Sequence, residues 1–195
     1  ILRTWALPFA RGPLARVGSY LSYFLGALWF GLWAGRQDVI VSMTTPPLLS
    51  LIGWMIEIRT GGRHYIWEMD MYPVVMVDLG MFPANHWIVR FLGSLADFGR
   101  RKAYAVISLG ECMTRRLLDR GVPIEKIAIA ENWADGNRIF PPAHPPANSG
   151  LSFIYTGNMG MGHEFETLKG AMLALKQRAE ISYTFVGGGA RKPAL

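Results

Sequence analysis

Short runs of apolar residues alternate with amphipathic stretches along almost the whole chain of 195 residues. Continuous apolar runs rich in β-branched residues predict buried strands, while apolar residues three and four positions apart predict helices. The predicted strands cover residues 38–43, 64–69, 105–109, 127–130, 151–155 and 182–186. The predicted helices cover residues 48–58, 86–102, 111–120 and a segment that begins at Glu164. Strands that alternate with helices indicate an α/β fold with parallel sheets.

A proline-rich stretch separates the last two strands from the rest. Residues 141–150 include Pro141, Pro142, Pro145 and Pro146. Proline lacks a backbone donor and ends helices and inner strands, so this stretch cannot continue either element. We therefore predict one parallel-sheet domain over residues 1–140, a linker over residues 141–150 and the start of a second such domain over residues 151–195.

Residues 17–35 form an uncharged segment, rich in Leu, Phe, Trp and Tyr, between Arg16 and Arg36. Its length is close to the roughly 20 residues that a membrane-spanning helix needs. Ser19, Ser22 and several glycines argue against spanning, and the bulk of the segment is aromatic rather than aliphatic. We favour a buried helix or a helix at a membrane surface, with spanning as the alternative.

The chain is basic, with a formal net charge of +6 and a pI of about 9.7. Such a charge indicates an anionic partner or surface. The basic residues do not cluster with aromatic ones, so we do not expect nucleic-acid binding; residues 100–102 are predicted to be the solvated end of a helix. The single cysteine, Cys112, excludes an intramolecular disulfide, fits a reducing compartment and is expected to be buried.

Two glycine clusters follow neighbouring predicted strands in the second domain. The first is the turn Gly157-Asn158-Met159-Gly160-Met161-Gly162-His163, and the second is Gly187-Gly188-Gly189. Glycines let the backbone approach a ligand, and the free amides of a following helix attract negative charge. The pair predicts a nucleotide-type ligand at the carboxyl edge of a parallel sheet. The alternative is that the glycines serve tight turns and that His163 only caps or packs.

Two carboxylates, Glu68 and Asp70, lie near the end of a predicted strand in the first domain. Strand alternation predicts that both point to the same face, as paired catalytic carboxylates require. The alternative is that Asp70 bonds loop amides before Pro73. The four histidines, 64, 86, 144 and 163, share no metal-ligand spacing, so we do not expect a metal site.

Several ordered motifs resemble family 4 glycosyltransferases. The two glycine clusters, with His163-Glu164-Phe165-Glu166-Thr167, are similar to the opening of that family's C-terminal domain. Five stretches further upstream resemble parts of its N-terminal domain, namely 45–49, 70–73, 109–113, 121–123 with 126–127, and 132–136. The resemblance implies the GT-B arrangement of two Rossmann-like domains. The first domain would serve the acceptor and the second would bind the nucleotide sugar.

The resemblance also implies roles for individual residues. Gly157, Asn158, Gly160 and His163 would approach the donor diphosphate, and Gly187 and Gly188 would approach the nucleoside. Glu68 and Asp70, with His163, would form the catalytic set. The family's usual Arg and Lys are absent between Tyr155 and Glu164, which increases the importance of His163. The family's first strand and its later acidic pair would lie outside residues 1–195, so we expect this chain alone to be inactive.

The expected activity is transfer of a sugar from a nucleotide sugar, as substrate rather than cofactor, to a polysaccharide or glycolipid precursor. By family resemblance the transfer would be retaining and metal-independent. The basic charge and the aromatic segment 17–35 suggest a cytoplasmic protein that contacts the inner membrane face. Two alternatives stay open at this point: a sugar-nucleotide epimerase of the same architecture, and a non-catalytic membrane-associated binding protein.

Overall fold

A computed structural model describes residues 3–8, 12–141, 143, 150–160 and 162–194. The chain divides into two compact units, Ile1–Trp133 and Ala134–Leu195, referred to below as the N-terminal and C-terminal units. Most of the predicted linker and His144 lie outside the described residues, so the linker stays a prediction.

The N-terminal unit alternates helices and strands. Its elements are α1 Pro13–Trp33, β1 Val39–Met43, α2 Leu49–Thr60, β2 Arg63–Trp67, α3 Val74–Asp78, α4 Trp87–Lys102, β3 Ala105–Ser108, α5 Glu111–Asp119 and β4 Ile127–Ile129. The four strands form one parallel sheet in the order β1-β2-β3-β4. Helices α2 and α5 pack against the sheet, and α4 packs against α2. The parallel α/β prediction is confirmed for this unit.

The core lies between the sheet and these helices. Its buried apolar residues are Ile66, Met71, Ala103, Val106, Leu117 and Val122.

Local sequence explains where the helices begin and end. The Nδ1 atom of His86 accepts a hydrogen bond from the amide of Ile88, 3.2 Å away, and so caps α4. Gly121 follows α5 with a φ of 78°, a conformation that favours glycine at a helix end.

Helix α1 has one packed face and one exposed face. Gly31 lies against Ile56 of α2 so closely that a Cβ atom on Gly31 would collide with that side chain. Ser22 is buried, and its Oγ accepts a hydrogen bond from the amide of Leu7 at 2.9 Å. The opposite face carries apolar side chains at every fourth position, each more than half exposed. They are Val17, Leu21, Leu25, Trp29 and Trp33, and we name them the α1 ridge.

No helix in the described part of the chain is both long enough and apolar enough to cross a membrane. One face of the predicted helix is packed, whereas the α1 ridge is exposed, and contact of that ridge with a membrane surface stays a prediction.

The C-terminal unit contains β5 Leu151–Thr156, α6 Glu166–Ala174 and β6 Ile181–Val186. The two strands pair in parallel, with Leu151 opposite Ile181 and Thr156 opposite Val186. Because the strands are parallel and in register, the glycine clusters that follow them lie side by side. The predicted strand, helix, strand order of this unit is confirmed.

Three local predictions are wrong. Cys112 is exposed rather than buried, because it lies on the outer face of α5. Arg100 is buried rather than solvated, although it belongs to the basic end of α4. Strand β2 ends at Trp67 instead of Met69, and the short helix α3 lies in a stretch for which no element was predicted.

Candidate functional site

Two acidic side chains follow β2 at the carboxyl edge of the N-terminal sheet. Glu68 is only 1% exposed, whereas Asp70 is exposed. Both lie beyond the end of the strand, so the prediction that strand alternation aligns them is wrong. They nevertheless line one small cavity of about 20 Å³, together with Thr44, Ser50 and Tyr72. A cavity of this volume can hold about one water molecule.

Glu68 is held by Arg100 of α4. The Nε of Arg100 donates to Oε2 of Glu68 at 3.1 Å, and Nη2 donates to Oε1 at 2.5 Å. Nη2 also donates to the backbone carbonyl of Tyr72 at 3.2 Å. Burial alone would lower the pKa of Arg100, but the hydrogen bonds and negative charges of Glu68 and Asp97 raise it. Arg100 is therefore a permanent cation that fixes Glu68 and the loop after it.

The ion pair continues to a second arginine. Arg100 Nη1 donates to Oδ1 of Asp97 at 3.0 Å. Arg120, just after α5, binds both oxygens of Asp97, with its Nε 2.8 Å from Oδ1 and its Nη2 2.7 Å from Oδ2. Two arginines and two carboxylates thus alternate from β2 through α4 to the end of α5. Their charges cancel, which is how buried charges are tolerated.

Thr44, at the end of β1, positions the loop that carries Asp70. Its Oγ1 accepts hydrogen bonds from the amides of Met69 at 3.1 Å and Asp70 at 3.0 Å. The carboxylate of Asp70 is thereby presented at the sheet edge while its backbone is fixed. Burial raises the pKa of the neighbouring Tyr72 hydroxyl, and the negative charge of Asp70 raises it further. Tyr72 therefore stays a neutral hydrogen-bonding group at ordinary pH.

His64 of β2 is fully buried beneath α2. Its Nε2 lies 2.8 Å from the Oγ of Ser42, and a Cβ atom on Gly53 would collide with its ring. Burial lowers the pKa of His64 to about 4. The imidazole is therefore neutral at physiological pH and acts as a packed core group, away from the carboxylates at the sheet edge.

In the C-terminal unit, backbone hydrogen bonds join the two glycine turns. The amide of Gly157 donates to the carbonyl of Val186 at 3.0 Å, and the amide of Met159 donates to that of Gly188 at 2.7 Å. The amide of Arg191 returns a hydrogen bond to the carbonyl of Met159 at 2.9 Å. The two turns therefore form one continuous rim along the carboxyl edge of β5 and β6.

Only glycine fits at two positions of this rim. Gly187 has a φ of 146°, and a Cβ atom there would collide with the carbonyl oxygen of Gly157. Gly189 has a φ of 135°, and its Cβ would meet the carbonyl of Met159 and the side chain of Asn158. The second glycine cluster is thus required by the close approach of two backbones.

The amides at the start of α6 are occupied by a side chain of the protein itself. Oε1 of Glu164 accepts from the amide of Glu166 at 2.8 Å, and Oε2 accepts from the amide of Thr167 at 3.0 Å. Hydrogen bonds from Thr167 and Glu166 lower the pKa of Glu164, and the charge of Arg191 lowers it further. The prediction that these amides are free is therefore wrong. A phosphate group could use them only by displacing this carboxylate.

His163 is exposed at the turn and its orientation is fixed by Tyr155. The Tyr155 hydroxyl donates to the carbonyl of Asn158 at 3.1 Å and lies 2.6 Å from Nδ1 of His163. The hydroxyl therefore joins the imidazole ring of His163 to the turn that carries Asn158.

Arg191 is a cation beside the rim that sequence reasoning missed. Its backbone is bound to Met159, and its charge acts on Glu164. Its Nε is buried and has no hydrogen-bond partner among the described residues. The sequence contained a clue, since Arg191 closely follows the second glycine cluster.

The predicted site residues form two separate groups. Glu68 and Asp70 line one cavity of the N-terminal unit. In the C-terminal unit, Gly157, Asn158, Gly160 and His163 share one turn, with Gly187 and Gly188 beside it. Sequence reasoning missed Thr44, Arg100, Tyr155 and Arg191, which position or neighbour the predicted residues. The roles assigned to the predicted residues stay predictions.

Comparison with known proteins identifies the family. The model of a glycosyl transferase 4-like domain matches residues 2–133, which is more than half of the chain. This chain belongs to the glycosyl transferase 4-like family. One curated relative of this chain is the probable glycosyltransferase WbjE of Pseudomonas aeruginosa, which is 23% identical to it over 165 residues. That match covers 80% of this chain and 41% of WbjE, so the chain spans less than half of that relative.

Two solved structures share the fold of this glycosyl transferase 4-like chain. One is the apo form of the lipopolysaccharide outer core galactosyltransferase WaaB, with 15% identity and a TM-score of 0.53 over 90% of this chain and 44% of WaaB. The other is Anabaena Alr3699/HepE in complex with UDP-glucose, with 9% identity and a TM-score of 0.51 over 92% of this chain and 55% of HepE. Both support the α/β, GT-B type fold predicted from sequence.

Proposed function

We propose that this chain belongs to an enzyme that transfers a sugar from a nucleotide-diphosphate donor to a glycan or lipid-linked acceptor. The observation that carries the proposal is the rim formed by the two glycine turns, where close backbone approach excludes other residues at 187 and 189. Such rims at the carboxyl edge of parallel strands suit nucleotide-type ligands. Family membership and the UDP-glucose bound to HepE support the choice of a nucleotide sugar.

The donor contacts are assigned to the C-terminal unit. Gly157, Asn158, Gly160 and His163 would contact the diphosphate, and Gly187 and Gly188 the nucleoside. When the bond between the anomeric carbon and the diphosphate oxygen breaks, its electron pair stays on the diphosphate. In this scheme the offsetting positive charge comes from a protonated His163 imidazole and from Arg191, so that no metal is required.

The acceptor chemistry is assigned to the N-terminal unit. The acceptor hydroxyl oxygen forms the new bond to the anomeric carbon with retention of configuration, and its proton passes to the carboxylate of Asp70. The exposure of Asp70 and the fixed backbone beneath it support this role. Glu68 has both oxygens bound by Arg100, so we assign it the task of holding the loop in place.

Contact with a membrane surface is part of the proposal. The α1 ridge presents two leucines, a valine and two tryptophans on a basic protein, and tryptophan favours the interface between lipid and water. The protein would then lie on the inner face of the cytoplasmic membrane. Exchange of Leu21 and Trp29 for serine should abolish co-sedimentation with anionic vesicles, whereas exchange of the exposed Ile58 for serine should not.

The decisive experiment is a nucleotide-sugar screen on the protein in its full natural length, read by calorimetry and by turnover with lipid extracts. His163→Ala should lower turnover about 10²–10³-fold, a typical loss when one group that stabilises charge in the transition state is removed. Gly187→Ala should abolish donor binding, because its Cβ would collide with Gly157. Gly170→Ala is the matched control, since open space surrounds that glycine. Absence of binding by every nucleotide sugar would refute the proposal.

A further inference from the structure

A second, larger cavity of the N-terminal unit lies between α3 and the first half of α4. Its volume is about 250 Å³ and it is partly open to solvent. Five apolar residues line its wall, namely Pro73, Val74, Val77, Ala84 and Val89. The remaining lining residues are Arg90 and Arg120. An apolar chamber with cationic side chains at its wall favours a ligand that has both an apolar part and a negative charge.

The two arginines contribute differently. Arg120 reaches the cavity across Gly93, where a Cβ atom would lie only 2.8 Å from its Nη2. Its charge is offset by Asp97, which accepts both of its hydrogen bonds. Arg90 is exposed, and among the described residues its guanidinium forms no ion pair. The excess positive charge of the cavity therefore comes from Arg90.

A cavity elsewhere in the same unit shows that this charge is not a general property of its apolar spaces. That cavity, between α1, β1 and α2, has a similar volume of about 220 Å³. Its lining residues include Tyr23, Ala27, Ile52 and Ile56, and none of its described lining residues is charged. This uncharged cavity can therefore be compared with the cavity between α3 and α4 to separate the effect of cavity volume on ligand binding from the effect of charge.

We propose that the cavity between α3 and α4 binds the apolar chain of an anionic amphiphile, with Arg90 holding its phosphate. Apolar cavities of about 150 Å³ already bind benzene-sized molecules, so 250 Å³ accommodates a segment of hydrocarbon chain. Arginine is well suited to phosphate because its donors match two phosphate oxygens. This inference rests on the proposed function, and it identifies the acceptor as a lipid-linked phosphate rather than a free glycan.

The position of the cavity fits this acceptor. Pro73, in its wall, is three residues beyond Asp70, and the carbonyl of the intervening Tyr72 is bound by Arg100. The loop that holds the proposed proton acceptor therefore continues directly into the cavity wall. A phosphate at Arg90 would tether the acceptor on the same unit that carries Asp70.

The test measures binding of three probes by calorimetry, below any micelle-forming concentration: decyl phosphate, decanol and inorganic phosphate. Decyl phosphate should bind at least about tenfold more tightly than either of the others, the effect expected of a charge-assisted hydrogen bond added to apolar burial. Val77→Phe fills the cavity and should weaken decyl phosphate at least about fivefold. Arg90→Gln should cause a similar loss, and Arg90→Lys, which keeps the charge but not the two matched donors, should lose less affinity than Arg90→Gln.

Two matched controls define the outcome. Ala27→Phe fills the uncharged cavity and Arg59→Gln removes an exposed charge elsewhere, so both should leave decyl phosphate binding unchanged. The inference would be overturned if decanol or inorganic phosphate bound as tightly as decyl phosphate, or if the control variants lost as much affinity as Val77→Phe and Arg90→Gln.

Donor binding is measured separately. If nucleotide sugars bind and decyl phosphate does not, the inference fails and the proposed function stands; if no nucleotide sugar binds, the proposed function fails.

Discussion

The carboxylate of Glu68 and the guanidinium of Arg100 form a buried pair through two hydrogen bonds, although 32 residues separate them. The pair joins the end of β2 to the last turn of α4. Removal of one partner leaves an uncompensated charge in the interior, which typically costs about 3–5 kcal/mol. We therefore predict that Arg100→Met lowers the free energy of unfolding by about that amount, as measured by urea denaturation.

The neighbouring Arg101 provides the control for this prediction, because it is exposed on the same helix turn. Arg101→Met should change the free energy of unfolding by less than about 0.5 kcal/mol. The double variant Glu68→Gln with Arg100→Met should recover part of the loss, since no buried charge is left alone at that position. Equal effects of Arg100→Met and Arg101→Met would contradict the role given to the pair.

Stability should depend on pH through His64. Its pKa is about 4 in the folded protein and about 6.5 in the unfolded chain, so the unfolded chain binds more protons between these values. The stabilisation due to the neutral, buried imidazole is complete above about pH 6.5 and is lost as the pH falls towards 4. We predict a loss of up to about 3 kcal/mol over this range.

The measurement is the free energy of unfolding of wild type and His64→Gln at several pH values. Glutamine can still reach the hydroxyl of Ser42 but does not titrate, so the difference between the two proteins should shrink or reverse as the pH falls. His86→Gln is the comparison, because His86 caps a helix at the surface. A constant difference between wild type and His64→Gln would rule out the proposed titration.

Thr44 should control the position of Asp70. Its hydroxyl oxygen accepts two backbone amides, and each lost hydrogen bond costs about 0.5–1.5 kcal/mol. Thr44→Val should lower stability by about 1–3 kcal/mol and should also lower kcat of the full-length enzyme. Thr44→Ser keeps the acceptor oxygen and should preserve both. If Thr44→Val destabilised the protein without changing kcat, the positioning role would be refuted.

Glu164 should compete with an anionic donor. Its carboxylate bonds the first amides of α6, the groups that a phosphate would otherwise attract. We predict that Glu164→Gln raises the affinity for a nucleotide diphosphate about three- to tenfold, which corresponds to loss of one unfavourable charge contact. Calorimetric titration with UDP measures the change. The matched control is Glu166→Gln in the same helix turn, and a weaker affinity in Glu164→Gln would contradict the prediction.

Local patterns in the sequence predicted most of the elements and their parallel order. The alternation of apolar runs with amphipathic stretches placed the six strands, and Gly121 marked the end of α5. The shortest helix, α3, was missed because five residues are too few to show helical periodicity. The helix packs against α4, a contact that no local pattern encodes.

The second glycine cluster was visible in the sequence, and the structure shows why glycine is needed there: a Cβ atom on Gly187 or Gly189 would collide with the neighbouring turn. The environment of Glu68 was not predictable, since Arg100 looked like one of three residues in a solvated basic cluster. Occupation of the α6 amides by Glu164 was also missed, because a carboxylate just before a helix can cap it or face solvent equally well from sequence alone.

The exposed position of Cys112 on α5 makes the protein simple to label. One thiol reagent would attach a single fluorophore to each molecule, in the unit that carries Asp70 and the cavity between α3 and α4. Ligand binding there could then be followed without interference from the seven tryptophans. The same exposure lets two molecules join through a disulfide in air, so a reductant is needed whenever the thiol is left unmodified.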